Sequence, residues 1–267
     1  MRIGLATGAV AAALLAGCGG GGGGGVDDDG TPVTAVEATM GQLPSGFSAR
    51  YDAASDTLIL EDGTNSVVLQ REARFEVPPY RLYSFRATGR SARVLRAETA
   101  SGGGISGVAL WQGGTGLAGP FYARLSDTQL PSDGSATFAG DYAAIVERDL
   151  NFNFFVKGAA TVSADFDTNT ISGEITNRTD SAEPRATFAD IVLAPAAIVD
   201  GRFAGIAGGG AGTGVLGTTV QPGNYAGLFT GVTGQEIVGG VVISHETVVT
   251  RTPLTEYGAF IAERATP

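Results

Sequence analysis

Few residues in this sequence have the types and spacing to do chemistry. His245 is the sole histidine and stands beside Glu246. A Ser/His/Asp triad would depend wholly on it, and no second histidine or nearby cysteine completes a zinc site. There is no G-x-S-x-G elbow. Acid pairs such as Glu147 and Asp149 could serve as acid and base in glycoside hydrolysis if a cleft fixed their separation. Asp165, Asp167 and Asn169 are spaced like the start of a calcium loop. Thr170 stands where that loop needs glycine and Thr176 where it needs glutamate, so they read as a hairpin turn. Gly102 to Gly107 and Gly212 to Gly217 both satisfy G-x-G-x-x-G. Neither is followed by a plausible helix, so both read as glycine-rich loops or strand bends. Lys157, the only lysine, follows no phosphate-binding loop. The reading is therefore no enzyme, no cofactor and no metal site, with a carboxylate-based hydrolase as the last alternative.

Binding is the other chemistry the residues allow. Between Arg71 and Arg96 lie Arg71, Arg74, Arg81, Arg86, Arg90, Arg93 and Arg96, with Phe75, Tyr80, Tyr83 and Phe85 among them. Arginine and aromatic residues are enriched in interfaces. Arg71, Arg74, Tyr80, Arg81, Tyr83, Arg86, Arg90 and Arg93 thus form a candidate partner patch. The same pattern arises on solvated strand faces whose arginines pair with the protein's own acids. Both readings stand at this point. Nucleic acid is excluded as a partner by the net charge of −10.

The elements that would position these residues are strands. The chain has 267 residues, of which 42 are glycine and 16% are charged, and it carries 43% apolar residues. That composition favours a loop-rich, all-β globular protein over disorder. From Gly223 to Ile243 the sequence reads as a hairpin. Tyr225, Gly227, Phe229 and Gly231 share one face, and Ile237, Gly239, Val241 and Ile243 share its counterpart, because strand side chains alternate. Gly231 to Gly234 supplies the turn. Regular glycines within strands predict tight bending or close contact at a barrel corner. Phe138, Gly140, Tyr142 and Ala144, then Ala160, Val162, Ala164 and Phe166, repeat the alternation. Eight or nine short strands follow Pro131, among them 186–193, 197–206 and 257–262, with turns at barrel spacing and an interior that reads as small and apolar. Before Pro131, shorter runs such as 57–60, 66–70, 80–87 and 107–112 predict a small twisted sheet. The expected fold is all-β: a small N-terminal handle-like β region, 35–130, and an eight-stranded antiparallel β-barrel, 131–267.

The N-terminus gives an address. Met1-Arg2 and an apolar run from Ile3 to Ala16 precede Leu15-Ala16-Gly17-Cys18. This resembles the lipobox of bacterial lipoproteins, in which residues 1–17 are cleaved and Cys18 becomes the acylated first residue. Cys18 is the only cysteine, so intrachain disulfides are excluded. Seven glycines, Gly19 to Gly25, and Asp27 to Asp29 follow, making 18–34 a flexible tether with a span of roughly 20 to 25 Å. Acyl chains in pairs hold a protein on a membrane stably. Glycine after the cysteine implies sorting to the outer membrane, with the cell surface left open.

Ser135 to Tyr142, Gly158 to Phe166 and Ile171 to Ile175 resemble the barrel repeat of transferrin-binding-protein-B-like lipoproteins. Gly227 to Gly231, Gln235 to Ile243 and Tyr257 to Phe260 are similar to that family's closing strands. The resemblance covers 134–264, and the first half is loosely similar to the family's handle region. It implies a non-enzymatic lipoprotein that binds host proteins, haem-carrying proteins or complement regulators, or a small ligand, through loops. This chain is far shorter than the two-lobed transferrin binder, with one handle and one barrel. A structural envelope lipoprotein without an external ligand is the alternative.

Overall fold

The computed structural model describes residues 38–63, 65–112, 116–149, 152–210, 219–246 and 254–265. Leu15, Ala16, Gly17, Cys18, the tether and the Gly212 to Gly217 stretch lie outside them. Sixteen strands account for the described fold, and the strand pairs are antiparallel.

The first eight strands form one sheet: β1 (Ala38–Thr39), β2 (Ser48–Asp52), β3 (Thr57–Glu61), β4 (Ser66–Arg71), β5 (Arg81–Ala87), β6 (Arg90–Glu98), β7 (Gly104–Gln112) and β8 (Leu117–Arg124). Their order is β1-β8-β7-β6-β5-β4-β3-β2, a meander that β1 closes against β8. The turn between β3 and β4 is held by the Asp62 carboxylate, which accepts from the Asn65 amide at 2.7 Å. Along one face, Leu58, Leu60, Leu69, Val94, Ile105 and Phe121 build a core. The Gly102 to Gly107 stretch crosses from β6 into β7, so a strand follows it where a dinucleotide site needs a helix.

The second eight strands close into a barrel: β9 (Ser135–Asp149), β10 (Phe152–Asp165), β11 (Thr170–Asp180), β12 (Ile191–Val199), β13 (Arg202–Gly209), β14 (Thr219–Thr230), β15 (Glu236–Glu246) and β16 (Leu254–Arg264). Each strand pairs with the next, and β16 returns to β9 with Gly258 opposite Ala144. Phe138, Val162, Phe229 and Ile237 all point inward and are buried. The Phe229 ring is the hub, with Phe138, Phe166 and Phe203 centred 5.6, 5.7 and 5.8 Å away. Several strands are longer than the sequence suggests. The run 197–206 is two strands, because Asp200-Gly201 makes a two-residue hairpin turn with φ of 51° and 70°.

The hairpin register matches the alternation: Tyr225 faces Val241, Gly227 faces Gly239 and Phe229 faces Ile237. Its turn uses Gly231 and Gly234 at φ of 74° and 64°. The inward glycines are there for close contact. Phe203 lies on Gly227, Phe260 on Gly239, Tyr142 on Gly258 and Tyr225 on Gly205, so a methyl at any of these glycines would overlap a ring. Small and large residues on neighbouring strands thus fill a narrow interior.

The sheet packs on the outer wall of the barrel. Leu82, Leu95, Val108 and Leu110 meet Ala143, Ile145, Tyr257 and Ala259, while Tyr122 meets Leu228 and Val238. β7 and β8 are consequently buried on both faces, and their sequences run apolar without clean alternation. Polar clamps fix the seam. Ser101 donates to Glu236 through its amide at 2.8 Å and its hydroxyl at 2.7 Å, and the Ser106 hydroxyl donates to the Gly239 carbonyl at 2.8 Å.

Candidate functional site

The barrel interior is not apolar throughout. Near the end where β11 leads into β12, four polar side chains from four strands meet: Tyr142 of β9, Arg178 of β11, His245 of β15 and Glu256 of β16. All four are buried. Glu256 is the centre. Its Oε1 accepts the Tyr142 hydroxyl at 2.6 Å, and its Oε2 receives both the Arg178 guanidinium and His245 Nε2, the latter at 2.6 Å. Arg178 also donates to the Ala189 carbonyl. Its guanidinium stands 5.6 Å from the centre of the Phe188 ring. Phe188 in turn stacks on Phe154 at 5.7 Å and lies 6.2 Å from His245. The segment between β11 and β12 is thereby fastened into the barrel.

The electrostatics follow from this geometry. Burial by itself would raise the pKa of Glu256. Arg178, His245 and Tyr142 outweigh it and hold the carboxyl at about 2. Burial, reinforced by the Glu256 charge, pushes the Tyr142 phenol well above its ordinary range. Arg178 Nε and His245 Nδ1 are buried without a hydrogen-bond partner among the described residues. The cluster can anchor and pre-organise. Three donors converge on the buried Glu256 carboxylate, and the lone histidine is one of them.

Sequence signals for this cluster were uneven. Tyr142 lies on the inward series with Phe138 and Ala144, and His245 continues the series Ile237, Gly239, Val241, Ile243. Glu256 falls between inward Leu254 and Gly258. Arg178 does not follow the alternation of Ile171 and Ile175. A bulge opposite Lys157 and Ala159, with Asn177 at φ 54°, turns it inward.

The candidate partner patch divides between core and surface. Tyr80 and Tyr83 are buried, Tyr80 against the barrel wall and Tyr83 in the sheet's own core. Burial pushes the Tyr83 phenol up to about 12, with the Asp56 carboxylate adding to the shift. Arg71 bridges Asp56 at 3.0 Å and Glu76 at 2.7 Å, and Arg81 stands 3.8 Å from Asp56. Asp56 also accepts the hydroxyls of Tyr51 and Tyr83 at 3.0 and 3.1 Å. Arg96 is buried, pairs with Glu98 at 3.1 Å and lies 4.9 Å from the Tyr51 ring centre. Arg74, Arg86 and Arg90 remain at the surface. Arg74 lies against the exposed Phe75 ring at 5.2 Å and Arg90 against Trp111 at 6.0 Å. Arg93 is half-buried, 5.9 Å from the Phe155 ring centre, and burial with the nearby Arg86 charge lowers its pKa.

Among the described residues no group of three or more His, Cys, Asp or Glu could hold a metal ion. Asp165, Asp167 and Asn169 lie at the turn between β10 and β11, where Asp165 accepts the Thr168 amide at 2.9 Å. No described helix is long and apolar enough to cross a membrane.

No protein-family profile matches the chain, and no curated protein matches its sequence. Solved structures do resemble it in fold. A double mutant of the vaccine antigen transferrin-binding protein B from Haemophilus parasuis superposes with a TM-score of 0.50 at 14% identity, over 81% of this chain and 44% of that one. The isotype 1 transferrin-binding protein B from serogroup B Neisseria meningitidis gives a TM-score of 0.46 at 17% identity, over 82% of this chain and 41% of that one. The chain spans under half the length of these proteins. At such identities the likeness is one of fold: an all-β half-barrel sheet joined to a closed eight-stranded barrel.

Proposed function

We propose that this protein is a non-enzymatic, ligand-binding lipoprotein, anchored in the outer membrane through acylated Cys18, and that its ligand is another protein. The observation that carries the reading is the shared sheet-plus-barrel architecture with transferrin-binding protein B. The interior chemistry agrees, since the one histidine and the buried acid are committed to each other. Loops and the exposed cations Arg86, Arg90 and Arg74, the last lying against Phe75, are the surface offered to the partner. The pairing of Arg71 and Arg81 with Asp56 is what favours the alternative, an envelope lipoprotein without external ligand.

The test has two arms. Mass spectrometry of the N-terminal peptide should find Cys18 diacylated and N-acylated, and Cys18→Ser should move the protein from the membrane fraction to the soluble one. Protease treatment of intact cells should cleave the sheet and barrel, and a partner captured by the full chain should be lost on Arg74→Glu with Arg86→Glu. An unmodified Cys18 defeats the anchor. Protection of the folded region on intact cells favours the alternative.

A further inference from the structure

One wall of the barrel is apolar on the outside as well as within. Strands β12, β13 and β14 contain a single charged residue, Arg202. Val192, Val199 and Ile206 point away from the core and are 44%, 61% and 61% exposed. Pro195, Ala197 and Ala204 are exposed among them. Strand pairing joins the wall, with Val192 opposite Gly208, Val199 opposite Arg202 and Ala204 opposite Ala226. The neighbouring outer face is of another kind, since β10 and β11 present Lys157, Ser163, Thr170 and Glu174 to solvent. Apolar side chains clustered in this way on an outer surface mark an interaction site.

What covers the wall follows from where the chain enters the fold. β1 is the outermost strand of the sheet, at the edge that borders β14. Ala38, Met40 and Ala226 pack on one cluster, Tyr122, Leu228 and Val238. The Met40 amide donates to the Pro120 carbonyl at 3.1 Å, and Pro120 lies on Gly240. Gly240 pairs with Ala226, and Ala226 pairs in turn with Ala204 of the open wall. Twenty positions separate Ala38 from Cys18 in the sequence. Such a length spans no more than about 70 Å even when fully extended. Acyl chains on Cys18 therefore keep this wall near a lipid surface, at an effective concentration on the order of mM.

We infer that the outer face of β12 and β13 docks on a zwitterionic lipid surface. The inference rests on the reading of Cys18 as the acylated anchor. Residue types favour lipid over protein. Protein interfaces are enriched in aromatic residues, methionine and arginine and depleted in alanine. The wall offers valine, isoleucine, alanine and proline instead. A lipid surface needs apolar area and the absence of charges that would have to leave water. Anionic headgroups are disfavoured, because the chain carries a net charge of −10 and these strands hold no cluster of cations. The acyl chains hold the protein at the membrane, and the wall sets which way it faces.

The test uses the mature, acylated chain reconstituted in vesicles of phosphatidylcholine and phosphatidylethanolamine. Cys18 is the only cysteine, so once its sulfur is acylated an introduced cysteine carries a single environment-sensitive fluorophore. Labels at Val199→Cys and Ile206→Cys should shift to the blue and be quenched by brominated lipids. A label at Lys157→Cys, on the polar outer face, should show neither change. Ile206→Asp should release the Val199→Cys label from the quencher, with the melting temperature close to the parent's because that side chain already stands in solvent. Added phosphatidylglycerol should weaken the quenching, and strengthening it overturns the choice of a zwitterionic surface. Mass spectrometry of the same sample reads the anchor separately. Acylated Cys18 with labels at Val199→Cys and Ile206→Cys no more quenched than at Lys157→Cys overturns the docking and leaves the anchor standing. An unmodified Cys18 defeats the anchor and the docking with it. The Cys18→Ser chain in buffer without lipid tests the rival occupant. A doubled mass with the Ile206→Cys label already shielded assigns the wall to a second copy and overturns the inference.

Discussion

Glu256→Gln is the perturbation that most directly tests the account of the barrel interior. The substitution keeps the shape and removes the charge from a carboxylate that receives Arg178, His245 and Tyr142. Two routes give its cost. Removing one member of a buried ion pair leaves the other uncompensated, worth about 3–5 kcal/mol. Independently, the carboxyl is held at about 2 against an ordinary 4.5. That shift corresponds to about 3 kcal/mol of stability. The sign is fixed by the direction: a depressed pKa contributes stability that is complete above about 4.5 and is lost as pH falls toward about 2. Denaturant unfolding should therefore be followed at pH 7 and in steps down to pH 2, using far-UV circular dichroism and the fluorescence of Trp111, the only tryptophan and buried in the sheet. The parent should lose about 3 kcal/mol across that window, and the variant should start lower and show a shallower acid limb. A second comparison isolates the pair: Arg178→Met alone should destabilise strongly, and Arg178→Met with Glu256→Met should recover much of the loss. Equal stability of parent and Glu256→Gln at pH 7, with the same acid limb, would refute the reasoning.

Further substitutions probe other contacts. Gly258→Ala places a methyl against the Tyr142 ring and hydroxyl, and should cost about 1–3 kcal/mol in unfolding experiments while Gly208→Ala, with open space at that position, costs much less. Ser101→Ala removes both the hydroxyl bond to Glu236 and part of the clamp between sheet and barrel, and should cost about 1.5–3 kcal/mol, with faster amide exchange at the start of β7. Arg71→Ala should change stability by no more than about 1 kcal/mol, because its partner Asp56 is 37% exposed and water screens the pair.

Much of the barrel was legible because its closing strands obey a simple rule of alternation, as Phe229 opposite Ile237 shows. The turn at Gly231 to Gly234 was legible for the same local reason, since left-handed backbone there calls for glycine. The Asp200-Gly201 turn carried an equally local signal, but apolar residues on both sides made 197–206 look continuous. The extent of the first sheet was harder to read, because β7 and β8 are covered on both faces and lose their period. The charged cluster is the least legible part. Tyr142 and Glu256 are 114 positions apart, and the bulge at Asn177 that turns Arg178 inward leaves no trace in composition. The arginine patch shows the same limit from the other side: spacing alone does not reveal that Arg71 and Arg81 converge on Asp56.

The pairing of β16 with β9 has a consequence in time. These two strands enclose all the other strands of the barrel between them, so the cylinder stays an open sheet until the last strand is available. Until that moment β9 and β15 present bare backbone amides and carbonyls, the kind of edge that a holding chaperone captures and that a neighbouring chain can mispair with. Closure across so long a loop is also slow, as non-local strand pairing generally is. The barrel wall is thus complete only once the last strand has paired with the first.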